Sequence, residues 1–163
     1  MQFRNAKTAD LSLIVEIYNS TINSRMVTAD VVPVTVDEKL SWFNAHHAAT
    51  RPLWMVEDNN TVVGWASFNN FYGRPAYNGT AEISIYLHPV YRQKGFGKKI
   101  LAHCINEAPA LNIHTLLGFI FAHNQPSIEL FLQAGFSQWG NLADVAYMDG
   151  NPYSLLIFGK KTT

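Results

Sequence analysis

Leu87-His-Pro-Val-Tyr-Arg92-Gln-Lys-Gly95-Phe-Gly97-Lys-Lys-Ile-Leu101 is the stretch that decides how this chain is read. It opens at the end of an alternating apolar segment, passes through a basic turn containing Gly95 and Gly97, and enters an apolar-periodic helix. That order of strand, turn and helix is anion-binding architecture. The glycines let successive backbone amides converge on a ligand, and the helix presents its positive end at the same place. A pyrophosphate suits such a cradle. A Rossmann loop would need glycine at Ile100, and a Walker A loop would need Ser or Thr at Lys99 and an earlier glycine at Arg92.

Around this turn the charge is unevenly spread. The 163-residue chain carries 12 Lys plus Arg and 12 Asp plus Glu, a formal net charge of zero. Yet from Ile83 to Asn106 there is no acid at all, while Arg92, Lys94, Lys98 and Lys99 fall inside, immediately after the carboxylate of Glu82. The zero net charge supplies no global field toward nucleic acid or an anionic membrane, so neither is expected as a partner. Charged residues are only 15% and hydrophobic residues 48%, a composition that buries a core and excludes disorder. A single domain over residues 1–163 follows from that length.

Cys104 has no partner for a disulfide, and Met1 to Asp10 lacks the apolar core of a signal peptide, so the cytoplasm is the expected setting. The longest apolar run, Leu116 to Ala122, is far too short to span a bilayer. Sequons at Asn19, Asn59 and Asn78 therefore carry no weight.

Further out, helix-like and strand-like segments alternate, which predicts an α/β or α+β layered fold. Phe3 lies in a short strand, and Thr8 and Asp10 offer cap chemistry for a helix with Leu11, Ile14, Val15 and Tyr18 on one face. Thr35-Val-Asp-Glu38 forms a capping box for a second helix, predicted to run to about Ala48. Leu53 to Val56 and Thr61 to Phe68 make a hairpin around Asp58-Asn-Asn60.

Thr80 to His88 alternates, with Ala81, Ile83, Ile85 and Leu87 on one face and Thr80, Glu82, Ser84 and Tyr86 on the other. A helix from about Gly95 to Glu107, a strand from Ile113 to Ala122, and a short helix from Gln125 to Gln133 with Gly135 as its stop come next. A hairpin of Val145 to Met148 and Ser154 to Phe158 around Asp149-Gly150 ends the pattern.

Arg92-Gln-Lys-Gly95-Phe-Gly97 resembles the Arg/Gln-x-x-Gly-x-Gly/Ala signature of the GCN5-related N-acetyltransferase (GNAT) superfamily, which holds the pyrophosphate of acetyl-CoA. Ile17-Tyr18-Asn19, Arg74-Pro-Ala-Tyr77, Thr80-Ala-Glu82 with Tyr86, Asn124 with Pro126-Ser127, and Gly135-Phe136 with Gly140 are similar to its phosphinothricin acetyltransferase-like branch. The resemblance spans about residues 3 to 148. It implies a mixed, mostly antiparallel central sheet of about six or seven strands with helices on both faces, and a homodimer.

The same resemblance implies the roles of particular residues. Glu82 would be the catalytic base. Ile85, Tyr86 and Leu87 would pair with the pantetheine arm of acetyl-CoA. Gln93, Lys94, Gly95, Phe96, Gly97 and Lys98 would cradle its pyrophosphate, and Asn124 would bind the arm near the thioester. Arg74 and Tyr77 are candidates to meet the acceptor: Arg74, the one Lys or Arg between Arg51 and Arg92 and in the loop before the Glu82 strand, either grips a carboxylate or phosphinate or is a solvated loop arginine. The activity implied is transfer of acetyl from acetyl-CoA to the amino group of a small amino acid or analogue such as phosphinothricin, methionine sulfone or methionine sulfoximine, by direct attack in a ternary complex.

Two departures bear on this. Phe131 stands where many members have a Tyr that protonates the leaving thiolate, and Gly150-Asn-Pro-Tyr153-Ser154 replaces a Trp and an Asp expected in the last strands. Acetylation of a protein N-terminus or a polyamine, and a silent acyl-CoA-binding module, stand as alternatives; the module would have no need of Glu82 and Asn124. No His, Cys, Asp or Glu group has metal-ligand spacing, so no metal is expected. His46 and His47 read as a helix end, Cys104 as a core residue, and His114 as a second candidate beside the cleft.

Overall fold

The structure is a computed structural model and describes residues 1–162. Seven strands form one sheet in the order β1-β2-β3-β4-β5-β7-β6. They are β1 (Gln2–Asn5), β2 (Leu53–Asp58), β3 (Thr61–Asn70), β4 (Thr80–Leu87), β5 (Thr115–Phe121), β6 (Ser137–Met148) and β7 (Asn151–Lys161). Every neighbouring pair is antiparallel except β4 with β5, which is parallel and joined through a helical crossover. The helices are α1 (Leu11–Ile22), α2 (Val36–Asn44), α3 (Phe96–Glu107) and α4 (Gln125–Gln133).

Two apolar layers sandwich the sheet. Ile14, Ile17, Tyr18 and Ile22 of α1 close on Leu53, Met55 and Trp65, with Trp42 and Phe43 of α2 packed at the margin. On the opposite face Ile100, Leu101 and Cys104 of α3 and Phe131 of α4 meet Ala66, Phe68, Ala81, Ile83, Leu116 and Phe158. Burial pushes the Cys104 thiol far up, so it stays protonated among these groups. The helical spacing in α1 and α3 thus turns each apolar stripe onto the sheet.

The largest departures from the sequence reading fall at the end of α2 and in the last hairpin. α2 stops at Asn44, not Ala48: His46 Nδ1 lies 2.9 Å from the Trp42 carbonyl, and His47 pairs with Arg51 in an isolated bridge that turns the chain toward β2. His46 is moreover no helix-end cation, because burial lowers its pKa and favours the neutral ring. The last hairpin is far longer than predicted. β6 begins at Ser137 and β7 extends from Asn151 to Lys161, with register shifts at Gln138/Gly140 and Leu142/Ala146 that disguise the alternation.

Candidate active site

The parallel pairing of β4 with β5 covers only Thr80 with Thr115, Ala81 with Leu116 and Glu82 with Leu117. Beyond Glu82, β4 continues to Leu87 paired on its β3 side alone, and β5 continues to Phe121 paired with β7 alone. The two strands therefore part at Glu82 and leave an open edge along Ile83 to Leu87, where an extended ligand could add as a further strand. Ile85, Tyr86 and Leu87, expected to meet the pantetheine arm, all lie on that edge. Leu87 is held from behind, since Arg92 Nε donates to its carbonyl at 3.1 Å while Arg92 Nη2 donates to Ser20 Oγ of α1 at 2.6 Å.

The turn that follows has the shape its sequence promises. Gln93 at φ +58° and Gly95 at φ +81° are both left-handed, and Gly95 is the residue from which α3 starts. The backbone amides of Gln93, Lys94 and Gly95 donate to no backbone acceptor among the described residues, and the first amides of α3 are free by the nature of a helix start. Gln93, Lys94, Gly95 and Lys98 are exposed, so the cradle is open to a ligand. At Gly97 an added Cβ would stand 3.3 Å from Leu130 Cδ2 of α4, a tight contact that the end of the leucine would have to ease.

Alternation in β4 turns Glu82, Ser84 and Tyr86 into a cavity of about 280 Å³ on the α1/α2 face, together with Ile14, Tyr18, Lys39, Trp42, Trp65 and Asn69. Aromatic rings make its wall. Tyr86 stacks on Trp65 at 4.4 Å between centroids and sits 5.1 Å from Tyr18, and Trp42 lies 5.5 Å from Trp65. Asn69, opposite Glu82 in the sheet, accepts from Trp42 Nε1 at 3.1 Å and reaches Ser84 Oγ at 3.4 Å.

Glu82 is half-buried, and among the described residues no side chain pairs with its carboxylate. Burial raises its pKa above the ordinary carboxylate value of 4.5. A half-buried carboxylate with an elevated pKa and no ion-pair partner among the described residues is poised to take a proton. Burial also pushes the Tyr18 hydroxyl up to about 12, with the Asp30 carboxylate, to which it donates, adding to the rise.

Asn124 is buried at the start of α4, where Oδ1 accepts from Ser127 N at 3.2 Å and Nδ2 donates to the Met26 carbonyl at 2.9 Å. The side chain thus caps one helix and ties down the loop that leaves α1. Arg25 strengthens the tie through Asp149, at 2.7 Å. Phe131 packs in the core against Gly118, where an added Cβ would stand 2.3 Å from the ring's Cε1.

Arg74 and Tyr77 are exposed on the loop before β4 and do not line the cavity. Tyr77 instead lies near Phe71 and Tyr72 in an aromatic cluster, 5.5 Å and 6.0 Å away by centroid. His114 is exposed with its ring against Gly79, outside the cavity. Sequence reasoning missed Lys39, Trp42 and Asn69. Trp42 and Lys39 share a face of α2 at a spacing of three, a signal that becomes informative only once the helix is known to lean over β3. Among the described residues no group of three or more His, Cys, Asp or Glu is placed to hold a metal, and no helix is long and apolar enough to cross a membrane.

A parallel strand pair that splays beside a carboxylate, with an amide cradle at the next helix start, defines a fold built to hold an extended, anion-tipped ligand against a reactive site. The model of the acetyltransferase (GNAT) family matches residues 15–136, and the chain belongs to that family and is an acetyltransferase. It is 49% identical over 162 residues to YwnH of Bacillus subtilis (strain 168), whose name assigns it provisionally to the phosphinothricin acetyltransferases, with 99% of each chain covered. It is 31% identical to the L-methionine sulfoximine/L-methionine sulfone acetyltransferase of Salmonella typhimurium, covering 92% of this chain and 88% of that one. A phosphinothricin acetyltransferase from Sinorhizobium meliloti, solved with acetyl-CoA, has a TM-score of 0.90 at 27% identity, covering 98% of this chain and 87% of that one.

Proposed function

We propose that the protein transfers the acetyl group of acetyl-CoA to the amino group of a small amino acid or amino-acid analogue, of the phosphinothricin or methionine sulfone and sulfoximine type, by direct attack in a ternary complex. The observation that carries this is the position of Glu82. An unpaired carboxylate with a raised pKa stands where β4 and β5 part, at the join between the acyl-CoA edge and an aromatic cavity. The names of the relatives support the acceptor class.

An ammonium ion has no lone pair, so the acceptor must lose a proton before it attacks. Glu82, directly or through one water, takes that proton. The amine nitrogen then bonds to the thioester carbon, and the carbonyl oxygen gains the charge, which a backbone amide on the open edge near Leu87 stabilises. Collapse restores the carbonyl, breaks the carbon–sulfur bond and releases thiolate. The attacking nitrogen must shed a second proton to become the amide; Phe131 has none to give the thiolate, and a thiol pKa of about 8.5 lets the thiolate take up that proton from the nitrogen through water, while Glu82 returns the first to solvent.

The cavity favours a small acceptor over a polypeptide, since about 280 Å³ lies at the lower end of ligand-pocket volumes. A cytoplasmic setting and a homodimer belong to the same proposal, the first supported by a sequence whose single cysteine can form no internal disulfide. The test is thiol release from acetyl-CoA against a panel of amino acids and amines, wild type beside Glu82→Gln. Release with amino acids that falls sharply in the variant supports the reading. Binding of CoA without release for any amine would replace it with the silent binding module.

A further inference from the structure

Two unpaired charges of opposite sign line one cavity. Glu82 is the acid; the cation is Lys39 of α2. A lysine on a surface helix ordinarily carries its ammonium into water. Lys39 is half-buried, with Nζ 4.2 Å from the centroid of the Tyr18 ring and 5.5 Å from that of Trp42, so ring faces hold the ammonium at the cavity wall.

Carboxylates near Lys39 are otherwise engaged. Glu38 turns back to the Thr35 amide at 2.6 Å, and Asp30 accepts the Tyr18 hydroxyl. The helical neighbours at three and four residues, Val36, Trp42, Thr35 and Phe43, carry no acid. Among the described residues Lys39 forms no ion pair, and Arg74, the other cation considered for the acceptor, lies outside the cavity. A small cavity that offers one free cation and one free carboxylate is complementary to a zwitterion.

We infer that Lys39 receives the carboxylate of the acceptor while Glu82 faces its amino group, so that the cavity selects free α-amino acids over amines that lack a carboxylate. This rests on the function proposed above. Lys39 then sets specificity and orientation, and Trp42 and Tyr18 fix where its ammonium rests.

The test compares methionine sulfone with its primary amide as acceptors, in wild type, Lys39→Met and Lys39→Arg. Lys39→Met keeps the stem over the rings and removes the charge. The preference for acid over amide in kcat/KM should fall about 10- to 100-fold in Lys39→Met and be largely kept in Lys39→Arg. Comparing preferences between variants cancels the different amine pKa values of the two acceptors. An unchanged preference, or an equal loss on both acceptors, overturns the inference, the second outcome making Lys39 only a brace for the aromatic wall.

Trp42 and Trp65 supply a second readout, independent of turnover. On the Glu82→Gln background with CoA present, tryptophan fluorescence titrated with the acid should show affinity lost with Lys39→Met and retained with Lys39→Arg. Equal affinity in both overturns the inference. Should wild type acetylate no amine, the proposed function fails, while this titration still decides Lys39; should Lys39→Met fail to fold, Lys39→Gln takes its place.

Discussion

Ala81 and Ile83 point from β4 into a dry layer closed by α3 and α4, whereas Glu82, Ser84 and Tyr86 point from the same strand into a cavity walled by α1 and α2. The dry layer is apolar, and its one thiol is kept protonated by burial. The cavity face mixes rings with a carboxylate, an ammonium, an amide and a hydroxyl. One eight-residue strand therefore carries core-packing and cavity-lining side chains on alternate, directly neighbouring residues. The partition is testable, because a substitution on one face should register in unfolding and on the other in rate.

The largest effect belongs to the dry face. Phe158 of β7 is 1% exposed, and Phe158→Ala should cost about 3–5 kcal/mol through lost burial and a residual cavity. Thermal unfolding should fall by roughly 10 °C, a chain of this size losing about 2–4 °C per kcal/mol. A loss of activity in the remaining folded protein as large as that of a cavity-face variant would break the partition.

Next comes Glu82→Gln, for which kcat/KM should drop about 100-fold, the lower end of general-base contributions and about 2.7 kcal/mol of barrier. Stability should move the other way. Burial raises the folded-state pKa of Glu82, so its charge weakens the fold above that pKa and the penalty disappears as pH falls through it. The variant should accordingly melt no lower than wild type at pH 8, with the difference shrinking as pH falls through the raised pKa toward the unfolded-state value of 4.5.

The same shift gives a smaller, sharper test. On the proposed role of Glu82, which requires the ionised carboxylate, the acid limb of kcat/KM against pH should lie above the ordinary carboxylate value of 4.5, and Glu82→Gln should flatten it. A limb that persists in the variant would assign the titration to another group.

How far the two faces could be read from sequence follows from the range of the interactions involved. Glu82, its face of β4, the Gly95 turn and the Thr35 cap are local features, set by alternation or by spacings of two to four residues. Lys39 was not legible. It lies 43 positions from Glu82, and only the packing of α2 across β3 turns it inward. The end of α2 escaped for a related reason, since Arg51 and the Trp42 carbonyl rather than a glycine stop the helix. β6 was hidden by its own irregularity: Asp144, at φ +52°, sits in the shifted segment between Leu142 and Ala146. Asn124 was expected near the thioester, and what its neighbourhood displays is a helix cap and a loop tether made by residues 98 positions apart.

The smallest effect probes the weaker wall of the cavity. α2 has no fully buried residue, so it relies on its cap and on the partial packing of Trp42 and Phe43. Thr35 Oγ1 accepts from Glu38 N at 3.2 Å while Glu38 Oε2 accepts from Thr35 N at 2.6 Å, satisfying two helix-start donors at once. Thr35→Ala should lower the melting temperature by only about 2–4 °C, the usual scale for a lost cap. Its kinetic signature should be more specific: α2 carries Lys39 and Trp42 to the cavity but contributes nothing to the amide cradle, so KM for the acceptor should rise severalfold and KM for acetyl-CoA should hold. A rise confined to acetyl-CoA would mean that α2 supports the cradle rather than the acceptor pocket, and the division of labour across β4 would need redrawing.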